Sequence, residues 1–395
     1  MEKNRWIELK EKRIPISKKE PIGISYAYDS TLVDTEGRKY IDFLGGIGVN
    51  ALGHSNTKFK EALKEQIDKV ILVPNHFLNE PLEKAINELV EYSFADRAYF
   101  VNSGAEANEG ALKIARKYCH MYSKDTEARE IVAMKKSFHG RTSSAIEVTD
   151  SMEFEDGFGE SEESFKFVEF NNVKELEETV NDHTSAIILE PVQGEGGVNV
   201  ATKEFLEKAR ELADKHHAVL IFDEIQCGMG RTGKLFAYEH FDVEPDVMTL
   251  AKALGNGIPV SAVLAKEEFA SIMGQKDHST TYGGNPIAAT AVSVALEEIN
   301  KEETLEMVQE KGEYFREKLE ELKEEFSEIE EIRGLGLIVG IAFKEPCTDI
   351  PEKLLEKGFI AGCTRENVLR MLPPFVITKE EIDRFVTALR EILKK

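Results

Sequence analysis

The chain has 395 residues, enough to bury a large core and to form two domains or more. Its 50 Lys and Arg stand against 73 Asp and Glu, and the net charge of −23 argues against nucleic acid and anionic membrane as partners. Hydrophobic residues make up 42%, yet no uncharged apolar run approaches the ~18 residues of a spanning helix, which argues against a membrane protein.

The opening residues Met1-Glu2-Lys3-Asn4-Arg5-Trp6 lack the apolar core of a signal peptide. Cys119, Cys227, Cys347 and Cys363 form no C-x-x-C pair and no zinc spacing, so a reduced, cytoplasmic protein is expected. In chain order, short strands are predicted at Ser30–Val33 and Arg38–Phe43, flanking the turn Asp34-Thr35-Glu36-Gly37. Apolar runs follow at Ala98–Val101, Glu130–Met134, Ala186–Leu189, Ala218–Phe222, Val247–Leu250 and Val260–Ala265. Amphipathic stretches lie between them, such as Lys203–His216 with Phe205, Leu206, Ala209 and Leu212 on one face. This alternation predicts an α/β fold with a mostly parallel sheet covered on both sides. From Ala288 the texture changes to a long charged helical pattern, Ala288–Phe326, then a strand at Leu335–Phe343 and a closing helix at Lys379–Lys394. The expected organisation is a large domain over residues 56–287 and a small α+β domain built from both ends, 1–55 and 288–395.

Two apolar strands run into ionisable residues: Ala218–Phe222 into Asp223, and Val247–Ala251 into Lys252, 29 residues later. Such residues sit at the carboxyl edge of the sheet, where open α/β folds bind ligands. A carboxylate and an amine placed there suit pyridoxal 5′-phosphate, whose aldehyde forms a Schiff base with an amine and whose ring nitrogen a carboxylate keeps protonated. A structural ion pair is the competing reading of the same spacing. Ser103 and Gly104 follow a strand and open a helix, where unpaired N–H groups favour a phosphate or simply make an ordinary cap. Phe138, after the strand Ile131–Met134, either covers a planar ring at the sheet edge or packs in the core; His139 reads as structural. Thr280-Thr281-Tyr282-Gly283-Gly284 is a turn with hydroxyls suited to phosphate. Gly228-Met229-Gly230-Arg231-Thr232-Gly233 fits G-x-G-x-x-G, but no long helix follows and no acidic strand end lies about 20 residues on, so the dinucleotide reading is set aside.

Together these segments resemble the class III (ornithine-type) aminotransferases, most closely the acetylornithine group. The resemblance rests on Asn102-Ser103-Gly104-Ala105-Glu106-Ala107-Asn108-Glu109, Phe138-His139-Gly140-Arg141-Thr142, Glu190-Pro191-Val192-Gln193-Gly194-Glu195-Gly196-Gly197, Phe222-Asp223-Glu224-Ile225-Gln226, Leu250-Ala251-Lys252, Thr281-Tyr282-Gly283-Gly284-Asn285-Pro286 and Val368-Leu369-Arg370-Met371-Leu372-Pro373-Pro374. It implies the aspartate-aminotransferase (type I) fold, pyridoxal phosphate as cofactor, and a homodimer sharing its active sites. By position, it implies Lys252 as the Schiff-base lysine, Asp223 at the pyridinium and Gln226 at the phenolic oxygen. Ser103, Gly104 and Ala105 would hold the phosphate, Phe138 would stack on the ring, and Thr281 would reach the neighbouring subunit's phosphate. Arg141 would grip the α-carboxylate of an N-acylated ornithine and Arg370 that of 2-oxoglutarate, with Glu195 as the switch that pairs with Arg370. The implied reaction is ping-pong transfer of a terminal amine to 2-oxoglutarate, with N2-acetylornithine as donor. Ornithine, succinylornithine, 4-aminobutyrate and carrier-bound aminoadipate semialdehyde are alternatives, as are amino-group migration or racemisation and a non-catalytic binding protein. The departures cluster near substrate recognition: Asn75-His76-Phe77-Leu78-Asn79 replaces a stretch with two tyrosines, Ser279 stands where Gly is usual, and Ser25-Tyr26-Ala27-Tyr28-Asp29 replaces an Arg-Gly-rich approach.

Overall fold

The computed structural model describes residues 6, 8, 9, 11–16, 20–74, 76–122, 129–150 and 164–394. Its centre is a seven-stranded sheet in the order Arg97–Val101, Ser261–Ala265, Val247–Leu250, Val219–Asp223, Thr184–Leu189, Glu130–Met134, Phe165–Val168. Ser261–Ala265 runs antiparallel to both neighbours, and the other six strands are mutually parallel. The inner strands carry near-continuous apolar runs because helices cover both faces, so no side of them meets water. The chain thus has the α/β architecture with a mostly parallel central sheet expected of it.

Local chemistry explains the covering helices. Lys203–His216 begins where the Thr202 hydroxyl accepts from the Phe205 N–H at 3.3 Å, and it stops at His217, which turns left-handed at φ 56°. Its buried face is Phe205, Leu206, Ala209, Leu212 and Ala213, matching the period-3.6 reading. The helical pattern at Ala288–Phe326 proves to be two helices, Pro286–Ile299 and Glu302–Glu325. The first is buried nearly all round against Thr57–Lys69 and Glu80–Glu91, whereas the second is charged and buries a single stripe. Lys301, extended at φ −82° and ψ 134°, turns the chain between these two environments. The strand expected at Leu335–Phe343 is likewise interrupted. Gly336 (φ +56°) makes a turn between Ile329–Leu335 and Ile338–Phe343, and a Cβ there would come within 2.5 Å of the Thr232 backbone.

Two smaller sheets flank the centre. Ile24–Tyr28, Thr31–Asp34 and Lys39–Asp42 form an antiparallel meander, extended in parallel by Phe359–Ile360 from the other end of the chain. Ile329–Leu335, Ile338–Phe343, Val368–Met371 and Gly362–Thr364 make the second, an antiparallel sheet that carries Arg370. Among the described residues, no helix is long and apolar enough to cross a membrane.

Candidate active site

The three neighbouring parallel strands Thr184–Leu189, Val219–Asp223 and Val247–Leu250 end at one edge and deliver Glu190, Asp223 and Lys252 there. A cavity of about 430 Å³ opens over this edge. Ser103, Gly104, Ala105, Phe138, Arg141, Gln226 and Ile225 join those three residues in lining it. A larger recess of about 720 Å³ runs along Lys113, Lys117 and Arg129. That recess lies at the amino end of strand Glu130–Met134, the wrong edge for such a fold, and Lys117 there is already bonded to Asp277.

Asp223 is 3% exposed and fully engaged. Its Oδ2 accepts from Asn108 Nδ2 at 2.8 Å and meets His139 Nδ1 at 2.7 Å, while Oδ1 accepts the Ile225 N–H at 3.0 Å. Asn108 is itself fixed, donating to the His139 carbonyl at 2.7 Å and accepting from the Thr249 hydroxyl at 2.8 Å. The carboxylate is therefore aimed by second-layer contacts. Lys252 occupies the left-handed region at φ 47°, a conformation that a residue with a side chain adopts only at a backbone cost. Burial pushes its amine below the usual lysine range, with the Glu195 carboxylate opposing.

Glu190 is 6% exposed, and its Oε2 has no hydrogen-bond partner. Burial first, then the neighbouring Asp223 carboxylate, pushes its carboxyl well above the ordinary range. His139 Nε2 is also buried and unpartnered. Glu195 and Arg370 form the second part of the site. Arg370 Nη1 donates to Glu195 Oε1 at 2.6 Å and to Gln226 Oε1 at 3.1 Å. Burial alone would raise the Glu195 carboxyl, but the Arg370 guanidinium outweighs it and holds the group low. Arg141 is exposed, with its guanidinium 4.5 Å from the Phe138 ring centre.

In another part of the cavity lining, Ser103 caps the 19-residue helix Gly104–Tyr122, its hydroxyl accepting the Glu106 N–H at 3.3 Å. A Cβ on Gly104 would lie 2.7 Å from Ile225 Cδ1, so glycine lets this turn close beside Ile225 without displacing that side chain. The neighbouring Asn102 donates to the Thr280 hydroxyl at 3.1 Å. Thr281 is exposed on the next turn and does not line the cavity. His76, Phe77, Leu78 and Ser279 are exposed as well, and Asn79 Nδ2 donates to the Gly284 carbonyl at 3.3 Å, joining this segment to the Thr281 loop.

All sequence-selected residues except Thr281 thus converge on one edge. Sequence reasoning gave no role to Asn108 or Glu190 and called His139 structural, although two of the three carry a signal. Glu190 follows an apolar strand just as Asp223 and Lys252 do, and Asn108 is a polar residue on the alanine-rich buried face of its helix.

The donor set fits pyridoxal phosphate. A buried amine, a fixed carboxylate, a helix amino terminus and two unpartnered buried polar atoms face a cavity of suitable size.

A family model described as aminotransferase class-III matches residues 16–393. An acetylornithine aminotransferase of Methanocaldococcus jannaschii is 47% identical over 99% of this chain and 98% of its own. A succinylornithine transaminase of Citrobacter koseri is 43% identical over 92% of this chain and 91% of its own. Among solved structures, the ornithine aminotransferase of Toxoplasma gondii superposes with a TM-score of 0.93 at 31% identity, covering 99% of this chain and 95% of that one.

Proposed function

The chain belongs to the class III aminotransferases, and on that premise we propose that it transfers the terminal amine of N2-acetylornithine to 2-oxoglutarate with pyridoxal 5′-phosphate as cofactor. The products are N-acetylglutamate semialdehyde and glutamate, a step of arginine biosynthesis. The observation that carries this reading is the pairing of Arg370 with Glu195 at 2.6 Å beside an exposed Arg141. One guanidinium lines the cavity where the carboxylate of an amine donor would lie, and the other is guarded by a carboxylate that an oxo-acid must displace.

When bound, the cofactor supplies an aldehyde that carries the amino group and a ring that accepts electrons from the substrate carbon. Ser103 and the first N–H groups of Gly104–Tyr122, including that of Ala105, would hold the phosphate. Phe138 would cover the ring, Gln226 would donate to its phenolic oxygen, and Asp223 would keep a proton on its nitrogen. The Lys252 amine, with its proton affinity reduced by burial, is suited to act as the base that moves the substrate's C–H proton. Arg141 would orient the donor by its α-carboxylate, and Arg370, once Glu195 releases it, would clamp the oxo-acid.

A homodimer is part of the proposal. Ile71, Phe77, Leu78 and Tyr282 are 60%, 58%, 93% and 61% exposed, and Asn79 joins the 76–80 segment to the loop of Thr281. A partner covering these side chains would bring Thr281 to a neighbouring phosphate. We also propose a small domain from both chain ends, supported by the pairing of Phe359–Ile360 with Lys39–Asp42. The packing of Pro286–Ile299 on Thr57–Lys69 favours a second boundary after that helix, near residue 300, over one at 287.

The test is a single half-reaction on cofactor-loaded protein without oxo-acid. N-acetylornithine, succinylornithine, ornithine and 4-aminobutyrate are added separately, and the absorbance of the bound aldehyde form is followed as it converts to the amine form. Fastest conversion by N-acetylornithine supports the proposal. Preference for succinylornithine would move the substrate while keeping the mechanism, and no conversion by any amine would overturn both.

A further inference from the structure

Two thiols at the edge of the sheet that carries Arg370, Cys363 in its strand Gly362–Thr364 and Cys347 in the loop after Ile338–Phe343, are placed for chemistry that transamination does not use. Cys347 Sγ and Cys363 Sγ lie 3.2 Å apart, against about 2.05 Å in a disulfide. One carbonyl fixes both residues: Glu366 O accepts from the Cys347 N–H at 2.7 Å and from Cys363 Sγ at 3.2 Å. Cys347 is 1% exposed, whereas Cys363 is half-buried and open to a reagent. The other two cysteines are not comparable. Cys119 is buried with its thiol on the Ser185 and His217 carbonyls, and Cys227 is buried with its thiol on the Asp223 carbonyl.

We propose that Cys347 and Cys363 form a reversible disulfide site, oxidised by low-molecular-weight disulfides, with Cys363 as the attacked-from thiol and Cys347 as the resolving one. The Cys363 thiolate attacks one sulfur of the small disulfide, forming a mixed disulfide and releasing one small thiolate. Cys347 then loses its proton to solvent and attacks Cys363 Sγ, releasing the second small thiolate. The protein loses two electrons and the small disulfide gains them, while the protons of both cysteines end on the two released thiols. The neighbouring Cys347 thiol lowers the proton affinity of Cys363, which favours this order of attack.

The site has a mechanical link to the carboxylate clamp. Thr364, next to Cys363, donates its hydroxyl to the main-chain carbonyl of Glu195, and Gly362 lies opposite Arg370 in the sheet. Drawing the sulfurs together pulls on the strand that holds both members of the pair. Resting on the role proposed above for Arg370, oxidation is expected to shift the KM for 2-oxoglutarate about 2- to 30-fold and to leave the amine half-reaction unchanged.

The experiment equilibrates the full-length, cofactor-loaded enzyme with oxidised and reduced glutathione at a series of ratios. Free thiols are then counted after denaturation, and peptides are mapped without reduction. A fall from four thiols to two, a peptide link between Cys347 and Cys363, and full reversal by reduced glutathione are expected. Cys363→Ser should retain all three remaining thiols, and Cys347→Ala should stop at a glutathione adduct on Cys363. Absence of the link in wild-type protein, or a stable glutathione adduct there, would overturn the site whatever the variants do. A mapped link with an unchanged KM for 2-oxoglutarate would overturn the coupling to the clamp. The mapping does not depend on activity, so failure of the proposed transamination would register separately.

Discussion

Glu195→Gln isolates the competition on which the two-substrate reading depends. Arg370 is 4% exposed and donates to Glu195 at 2.6 Å, so an incoming oxo-acid carboxylate must replace a charge-assisted bond. Glutamine keeps an oxygen at the same position and the guanidinium stays charged, so the hydrogen bond survives and only the attraction of the second charge is lost. An exposed ion pair contributes about 1 kcal/mol or less, and breaking a buried one costs about 3–5 kcal/mol. The Glu195 side chain is 29% exposed, and solvent screening places this pair near the lower figure, about 1–1.4 kcal/mol. The KM for 2-oxoglutarate should therefore fall about five- to tenfold, and glutamate should become a correspondingly better amine donor because it uses the same clamp. Steady-state kinetics with varied 2-oxoglutarate, and the half-reaction with glutamate, measure both. An unchanged or raised KM in protein that still binds cofactor would refute the idea that Glu195 competes for Arg370.

Three further outcomes are expected. Glu190→Gln should flatten the fall in stability with pH. The folded protein holds the carboxyl above its unfolded value near 4.5, so between that pH and the raised value the folded state binds more protons, and stability drops by up to about 1.4 kcal/mol per pH unit. Urea midpoints of cofactor-free wild type and variant at pH 5, 6 and 7 should diverge, and parallel curves would remove Glu190 from the account. Glu224, pushed up to about 8 chiefly by burial, is common to both proteins and cancels. Arg231→Ala leaves the Leu337 and Pro373 carbonyls without their buried guanidinium donor, at about 1–3 kcal/mol each, so the unfolding temperature should fall markedly. Thr378→Ala removes the capping hydroxyl of Lys379–Leu393, which accepts the Glu381 N–H at 3.1 Å, and should cost about 1 kcal/mol in urea unfolding while cofactor binding stays unchanged.

What the sequence shows of this site follows from how far each signal reaches along the chain. Lys252 and Asp223 are legible because the signal is local: an apolar run ends in an ionisable residue, and parallel sheets place such ends at one edge. The same rule reaches Glu190, which closes the run Ala186–Leu189. His139 is a different case. It lies 84 residues from Asp223, and the 2.7 Å contact depends on a strand order in which only Thr184–Leu189 stands between Glu130–Met134 and Val219–Asp223. No local pattern encodes that strand order. The breaks at Lys301 and Gly336 are hidden for the opposite reason, since apolar periodicity continues through both and only burial on one side and a left-handed φ on the other divide them. Thr281 lies beyond both kinds of evidence. Its proposed partner is a phosphate in another copy of the chain, so its exposure here is the condition that the proposal requires. A single substitution can separate the two readings. Thr281→Ala should weaken phosphate-dependent cofactor retention in a dimer, and it should do nothing if the loop is only a surface turn.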